Sequence, residues 1–121
     1  MKKDFNLKVN KTFFFNIVVP VFNAEKYIEK CISSIIKQNY INYKVQIVDD
    51  CSTDSTYEFA ASMITNRKNF SIFRNSRRQG SLKNIFNLLN THIEEPSKTI
   101  DVLIDGDDYL YSGDVLNIIK E

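Results

Sequence analysis

Apolar and polar positions along this chain follow two rhythms. Phe13–Val19, Lys44–Val48, Phe70–Phe73 and Ile100–Ile104 are short runs rich in β-branched and aromatic residues, and they predict strands. Between them the apolar residues step by three and four. Ile28, Cys31, Ile32, Ile35 and Ile36 form one stripe, from Tyr27 to about Gln38-Asn39. Phe59, Ala60, Met63 and Ile64 form a second, to about Thr65, and Leu82, Ile85, Phe86 and Leu89 a third within Ser81–Thr91. These spacings predict helices with one inward face. A last helix is expected to start at Gly113 or Asp114 and to run through Ile119. Pro20 is expected to stop strand pairing, leaving Val21-Phe22-Asn23 as a loop with Asn23 as a helix N-cap. Ser55 and Glu58 match a capping box. Residues 1–12 read as a polar, basic arm, and residues 94–98 as a loop around Pro96.

Strands alternating with helices imply right-handed crossovers and a mainly parallel sheet, an α/β fold in one domain over residues 13–121. Each strand then delivers its following loop to the same edge, where open α/β sheets place their sites. Three of those loops are polar: 20–25, 49–54 and 105–108. The loop after the third strand adds Arg74, Arg77, Arg78 and Lys83, so carboxylates and cations are expected to meet at one rim.

Composition narrows the function. The 121 residues are 43% hydrophobic and 26% charged with a net charge of +1, an ordinary globular balance that argues against a nucleic-acid binder working through bulk charge. Cys31 and Cys51 fit neither a zinc spacing nor a disulfide framework, which suits a reducing, cytoplasmic setting. No apolar run approaches the roughly 18 residues of a membrane span. Lys2, Lys3, Lys8 and Lys11 leave a peripheral membrane contact open.

The chemistry concentrates after the fourth strand, in Asp105, Gly106, Asp107 and Asp108. Carboxylates gathered at a strand end raise one another's pKa unless a counter-charge intervenes. A hard divalent cation such as Mg²⁺ or Mn²⁺, shared with substrate phosphates, supplies one; an ordinary acidic turn is the other reading. If the strand reaches them, Asp105 and Asp107 point the same way. Asp50, ending the second strand, is placed to bind a base or ribose, while Ser52, Thr53 and Asp54 suit helix capping. Gly80 before a helix lets backbone approach an anion, and Arg78 and Lys83 can neutralise a diphosphate; Arg77 reads as solvated. There is no Walker pattern and no G-x-G-x-x-G after the first strand. The only histidine, His92, lies near a helix end, where a favourable charge is its expected role. Acidic neighbours disfavour a thiolate at Cys51.

Three motifs, Ile-Val-Val-Pro-Val-Phe-Asn-Ala-Glu-Lys-Tyr-Ile at 17–28, Ile-Val-Asp-Asp-Cys-Ser-Thr-Asp at 47–54 and Ile-Asp-Gly-Asp-Asp-Tyr-Leu at 104–110, resemble those of the family-2 inverting glycosyltransferases. Asn75…Arg78-x-Gly80…Asn84 is similar to a variant of the family's third motif. The likeness runs from about Phe13 to Glu121. It implies a Rossmann-like GT-A nucleotide-binding half that holds a nucleotide-diphospho-sugar, with UDP-sugars favoured, through Mn²⁺ or Mg²⁺. It places Pro20, Phe22 and Glu25 near the nucleotide, Asp50 on the base, and Asp107 and Asp108 on ribose and metal, with Asp105 in the same cluster. The acceptor is left open among sugars, lipid-linked carriers and proteins, with surface polysaccharide or glycoconjugate synthesis the expected setting. Cys51 departs from the commoner small residue at its position. In the family the acceptor half and the catalytic carboxylate lie beyond the position of Glu121. The expectation is therefore a donor-binding half, completed by more chain, a partner or another copy. Two alternatives remain: a catalytically incomplete nucleotide-sugar-binding module, and a receiver-type phospho-switch phosphorylated at Asp105.

Overall fold

The computed structural model of the chain describes residues 13–89 and 98–120. The basic arm, His92 and the loop at Pro96 lie outside them. Strands and helices alternate: β1 (Phe14–Val21), α1 (Ile28–Ile36), β2 (Tyr43–Asp49), α2 (Thr56–Met63), β3 (Phe70–Arg74), α3 (Ser81–Leu89), β4 (Thr99–Leu103) and α4 (Val115–Ile119). Every pairing is parallel, in the order β3-β2-β1-β4. The chain moves outward from β1 to β3, then crosses back to lay β4 on the other side of β1. The α1 connection leaves β1 toward β2 over one face, and the α3 connection returns from β3 to β4 over the other, so the strand order reverses between β1 and β4, at whose carboxyl ends α/β sheets open a crevice.

Alternation along the strands divides the core. Phe15, Ile17 and Val19 of β1 and Val45 and Ile47 of β2 meet Ile28, Ile32 and Ile35 of α1, Ala60 of α2 and Leu116 of α4. Ile17, Ile32, Ile35 and Ile47 are fully enclosed, each contributing about 1.5–3 kcal/mol by leaving water. On the opposite face a smaller cluster joins Val18 and Val48 to Leu88 of α3. A polar row also crosses that face: Gln46 Nε2 donates to Asn16 Oδ1 at 2.8 Å, and Asn16 Nδ2 donates to Asp101 Oδ1 at 3.0 Å.

Four local expectations fail, each for a physical reason. Pro20 does not end β1, which pairs through Val21. Gly106 N donates to Pro20 O at 3.2 Å, so the N–H that Pro20 lacks would face the β4 side, where the β4 ladder has already stopped at Leu103. Asn23 is not the α1 cap. It sits at φ 48°, and its Oδ1 accepts from Thr53 N at 2.8 Å, tying the β1–α1 loop to the β2–α2 loop. Ser55 precedes α2 without a side-chain cap; instead Asp54 Oδ1 accepts from Thr56 N at 2.9 Å and Glu25 Oε1 from Ser55 N at 2.9 Å. The inward face of α3 is also rotated from its apolar stripe. Asn84 and Leu88 are buried, while Leu82 is 80% and Phe86 62% exposed. Polar bonds at the start of α3, described next, set that rotation.

Candidate functional site

The end of β1 fixes the site's geometry. Asp50 N donates to Val21 O at 2.9 Å, Ile104 N to Val18 O at 3.0 Å and Gly106 N to Pro20 O at 3.2 Å. Residues 104–106 thus continue alongside β1 after β4 has formally ended, carrying the acidic turn to the switch point. Asp105, Asp107 and Asp108 gather because the backbone turns, with Asp108 N donating to Asp105 O at 2.9 Å. The expected strand alternation is not what aligns them. One carboxylate oxygen from each lies within 4.8 Å of the others. Gly106 makes the turn possible: a Cβ there would stand 2.4 Å from Val21 Cγ2.

A cleft of about 250 Å³ opens beside this turn. Pro20, Val21, Phe22 and Tyr27 of the β1–α1 segment line it, together with Asp105, Gly106 and Asp107 of the acidic turn. Asp50, Arg78, Ser81 and Asn84 complete the lining. The guanidinium of Arg78 lies 3.6 Å over the Phe22 ring. Of the residues singled out in the sequence, Pro20, Phe22, Asp50, Arg78, Asp105 and Asp107 therefore share one cavity. Glu25 lines a neighbouring hollow with Lys26 and Asp54, and Lys83 is exposed on α3. Asp108 faces the triad without lining the cleft, and Gly80 acts through its backbone.

Asp50 is the hub of the bonds around Arg78. It is 2% exposed, and its carboxylate accepts four bonds. Asn75 Nδ2 at 2.9 Å and Gln79 N at 2.8 Å reach Oδ1, while Arg78 Nε at 3.0 Å and Gly80 N at 2.9 Å reach Oδ2. Four bonds match the acceptor capacity of an ionised carboxylate. Burial alone would raise the Asp50 pKa, but the bonds from Asn75, Gln79, Gly80 and Arg78 overcome it and hold the group well below the usual carboxylate range. The carboxylate lies just ahead of α3, bonded to the two backbone N–H groups, of Gln79 and Gly80, that precede the helix. Gly80, at φ 92°, supplies the left-handed turn that presents its N–H there. Asp49 is structural too: Ser52 N donates to it at 3.1 Å, and Arg74 pairs with it at 3.3 Å.

The acidic turn is electrostatically uncompensated. Arg74 and Arg78 are committed to Asp49 and Asp50, and no cation is paired with the triad among the described residues. The Asp105 pKa is raised, first by desolvation and then by the charges of Asp107 and Asp108. Cys31 lies beneath the turn with Sγ 3.7 Å from Asp105 O. Burial, then Asp108, Asp107 and Asp105, push its thiol up to about 12, so it offers neither a thiolate ligand nor a nucleophile. Three clustered carboxylates of raised mutual repulsion, all oxygen donors, suit a hard divalent cation.

Sequence reasoning gave no cleft role to Tyr27 or Ser81, and named Asn84 and Gly106 only as members of their motifs. Asn84 and Gly106 carried a readable signal, a polar residue inside an apolar helix stripe and a glycine between carboxylates. Tyr27 and Ser81 carried none, since they line the cleft only through the loop geometry.

The family model described as Glycosyl transferase family 2 matches residues 16–121. Glycosyltransferase AglE of Haloferax volcanii is 34% identical over 96 residues, covering 78% of this chain and 30% of that protein. The poly(ribitol-phosphate) beta-N-acetylglucosaminyltransferase TarS of Staphylococcus aureus is 30% identical over 101 residues, covering 79% of this chain and 16% of TarS. The crystal structure of TarS 1–349 in complex with UDP superposes with a TM-score of 0.76 at 28% identity, covering 89% of this chain and 31% of that one. The chain thus spans less than a third of the length of each of these relatives.

Proposed function

The chain belongs to glycosyl transferase family 2, and from that premise we propose that its cleft binds the nucleotide-diphospho-sugar donor of an inverting sugar transfer, with a uridine nucleotide favoured. One observation carries the proposal: a single cavity runs from the Phe22–Arg78 stack and Asp50 to the Asp105–Asp107 turn. A nucleotide diphosphate needs an apolar, aromatic wall for its base at one end and neutralisation of its phosphates at the other. Similarity to TarS, solved in complex with UDP, supports the uridine reading.

In this assignment Pro20, Phe22 and Tyr27 bound the base and ribose. Asp50 is a positioning residue, holding Arg78 and the backbone at Gln79 and Gly80 as one wall. Asp105, Asp107 and Asp108 hold Mn²⁺ or Mg²⁺, which when bound supplies Lewis-acid stabilisation of the departing diphosphate. Lys83 and Glu25, outside the cavity, act at its margin. Inverting transfer also needs a base at the acceptor hydroxyl. The only carboxylates lining the cleft among the described residues are Asp50, Asp105 and Asp107. Asp50 is saturated and the other two face the metal position, so we assign this chain the donor half of the reaction. The acceptor surface and base are assigned to further chain or to a partner. The acceptor itself is left at the level of a sugar, lipid-linked carrier or protein in surface polysaccharide or glycoconjugate synthesis. No helix among the described residues is long and apolar enough to cross a membrane, and a cytoplasmic or membrane-peripheral site of action is part of the proposal.

A thermal-shift panel tests it. UDP and UDP-sugars with Mn²⁺ should raise the melting temperature by mass action, and chelator should remove most of the gain. Equal shifts with and without metal, or no shift with any nucleotide, would sink the assignment.

A further inference from the structure

Asp107 and Asp108 sit between two sets of fastenings. Ahead of them the turn is held by backbone, with Ile104 N on Val18 O at 3.0 Å and Gly106 N on Pro20 O at 3.2 Å. Behind them the fastenings come from α1 and the residues just after it. Leu110 N donates to Ser34 Oγ at 2.9 Å, and Lys30 Nζ lies 3.9 Å from the centre of the Tyr109 ring. Gln38, two residues past the end of α1, donates from Nε2 to Ser112 O at 2.7 Å and accepts from Leu116 N on Oε1 at 3.0 Å. Asn39 N donates to Gly113 O at 2.7 Å. One helix and its C-terminal extension thus strap down residues 109–116.

Within this strap Ser34 makes the hydrogen bond nearest the carboxylates. A hydroxyl has one proton to give and two lone pairs to receive on. Ser34 gives its proton to Cys31 O at 2.7 Å, and its oxygen receives Leu110 N, two residues past Asp108. The bond between the two fastenings, Asp108 N on Asp105 O at 2.9 Å, lies inside the turn and cannot fix it against the rest of the fold. Repulsion among the three carboxylates works to open the turn, and its exit at Leu110 is where it would yield. The fold itself does not hang on the Ser34 bond. The Leu110 side chain packs on the main core, and the bonds of Gln38 and Asn39 persist without the Ser34 hydroxyl.

We propose that Ser34 is a positioning residue for the acidic turn: its hydroxyl pins Leu110 N and so sets where Asp107 and Asp108 present their oxygens, with Gln38 holding the strap behind it. This rests on the reading of the triad as a divalent-cation site. Ser34 touches neither the cation nor the donor. It acts as groups behind metal ligands do, by keeping the ligands at the spacing the ion requires, so that the ion meets a formed site rather than having to gather one.

The test is Mn²⁺ titration of the full chain, with and without UDP, counting the free ion by electron paramagnetic resonance. It compares the native protein with Ser34→Ala, Ser34→Cys, Ser34→Thr and Asn117→Ala. Ser34→Ala should weaken Mn²⁺ by about tenfold, the low end for groups that orient metal ligands. Ser34→Cys, whose sulfur is a weak acceptor, should match it. Ser34→Thr keeps a hydroxyl that can still bond the preceding turn of the helix and should stay close to native. Asn117 Nδ2 donates to Asn39 O at 2.8 Å, at the far end of the strap. Asn117→Ala should lower the melting temperature as Ser34→Ala does, yet leave Mn²⁺ affinity unchanged, which separates positioning from general loosening. Amide hydrogen exchange gives a readout without metal: Leu110 should lose protection in Ser34→Ala and keep it in Ser34→Thr. Native Mn²⁺ affinity in Ser34→Ala, a loss in Ser34→Thr as large as in Ser34→Ala, an equal loss in Asn117→Ala, or unchanged exchange at Leu110 would overturn the assignment. If the native chain binds no Mn²⁺ in either condition, the cation reading falls and takes the positioning role with it. Mn²⁺ binding that the Ser34 variants leave unmoved removes Ser34 alone.

Discussion

Gly106 and Val21 touch where β1 and the acidic turn meet, and the missing side chain is what lets them. A Cβ on Gly106 would lie 2.4 Å from Val21 Cγ2 and 2.8 Å from Val21 Cβ. Both are atoms of a β-branched side chain with little rotamer freedom. Gly106→Ala must therefore push the turn off β1. We expect a loss of about 1–3 kcal/mol, the usual scale of overpacking, read by urea denaturation, together with weaker Mn²⁺ binding. Adding Val21→Ala should restore part of both. Full stability in Gly106→Ala alone would show that the turn is looser than this contact implies.

The acidic triad predicts separable ligand effects. Asp107→Asn or Asp108→Asn should remove most of the gain that Mn²⁺ gives to nucleotide-diphosphate binding, on the order of tenfold or more. Asp101→Asn should leave that gain intact, because Asp101 serves Asn16 on the sheet face and an amide oxygen still accepts that bond. Calorimetry with and without metal distinguishes the three. A comparable loss in Asp101→Asn would mean the effect travels through the fold rather than through ligation.

Asp50 predicts an acid limb in the stability profile. Its folded pKa lies well below the ordinary value, so its contribution is complete above the unfolded value of about 4 and is lost as pH falls through that value toward the folded one. Melting temperature should decline below about pH 4, and Asp50→Asn should flatten that part of the curve. At neutral pH the same substitution should cost about 1–3 kcal/mol, since an amide cannot accept all four donors and leaves buried N–H groups unpaired. A profile for Asp50→Asn parallel to the native one would remove Asp50 from the acid transition.

The Phe22–Arg78 stack should matter more to ligand than to fold. Arg78 is half exposed, so losing its contact with the ring in Phe22→Ala should cost only about 0.5–1 kcal/mol of stability, while weakening UDP binding by several-fold through loss of the aromatic wall. Arg78→Lys should not substitute for arginine. A lysine cannot both lie flat on the ring and donate in-plane to Asp50. Native-like UDP affinity in Phe22→Ala would place the base elsewhere in the cleft.

Periodicity made the architecture readable. Runs such as Ile100–Ile104 and stripes such as Ile28–Ile36 carry their period in the local sequence, and a strand-helix alternation admits few topologies. The acidic turn and the Asp50 end of the cleft were readable from residue type. What failed was whatever depended on tertiary partners. Pro20 stays in the ladder because its missing N–H lies on the β4 side, past the last β4 pairing at Leu103, and not on the β2 side. Ser55 loses its capping role to Asp54. The inward face of α3 follows the bonds of Gln79, Gly80 and Asn84 rather than the apolar stripe of Leu82, Ile85, Phe86 and Leu89. In each case the competing interaction lies far away in sequence or in a loop without period.

The row Gln46–Asn16–Asp101 crosses β2, β1 and β4 on the face where α3 packs. Its amides donate in one direction, from Gln46 toward Asp101, so each strand recognises its neighbour at a single height. Slipping β4 by one residue would bring Val102 opposite Asn16, strand a fully enclosed amide and turn β4's side chains over. The row is thus a vernier for the sheet, read four residues upstream of the chemistry. By fixing how far β4 travels relative to β1 and β2, it sets the reach between the Asp50 wall and the Asp105 turn, and with it the length of ligand the cleft can span.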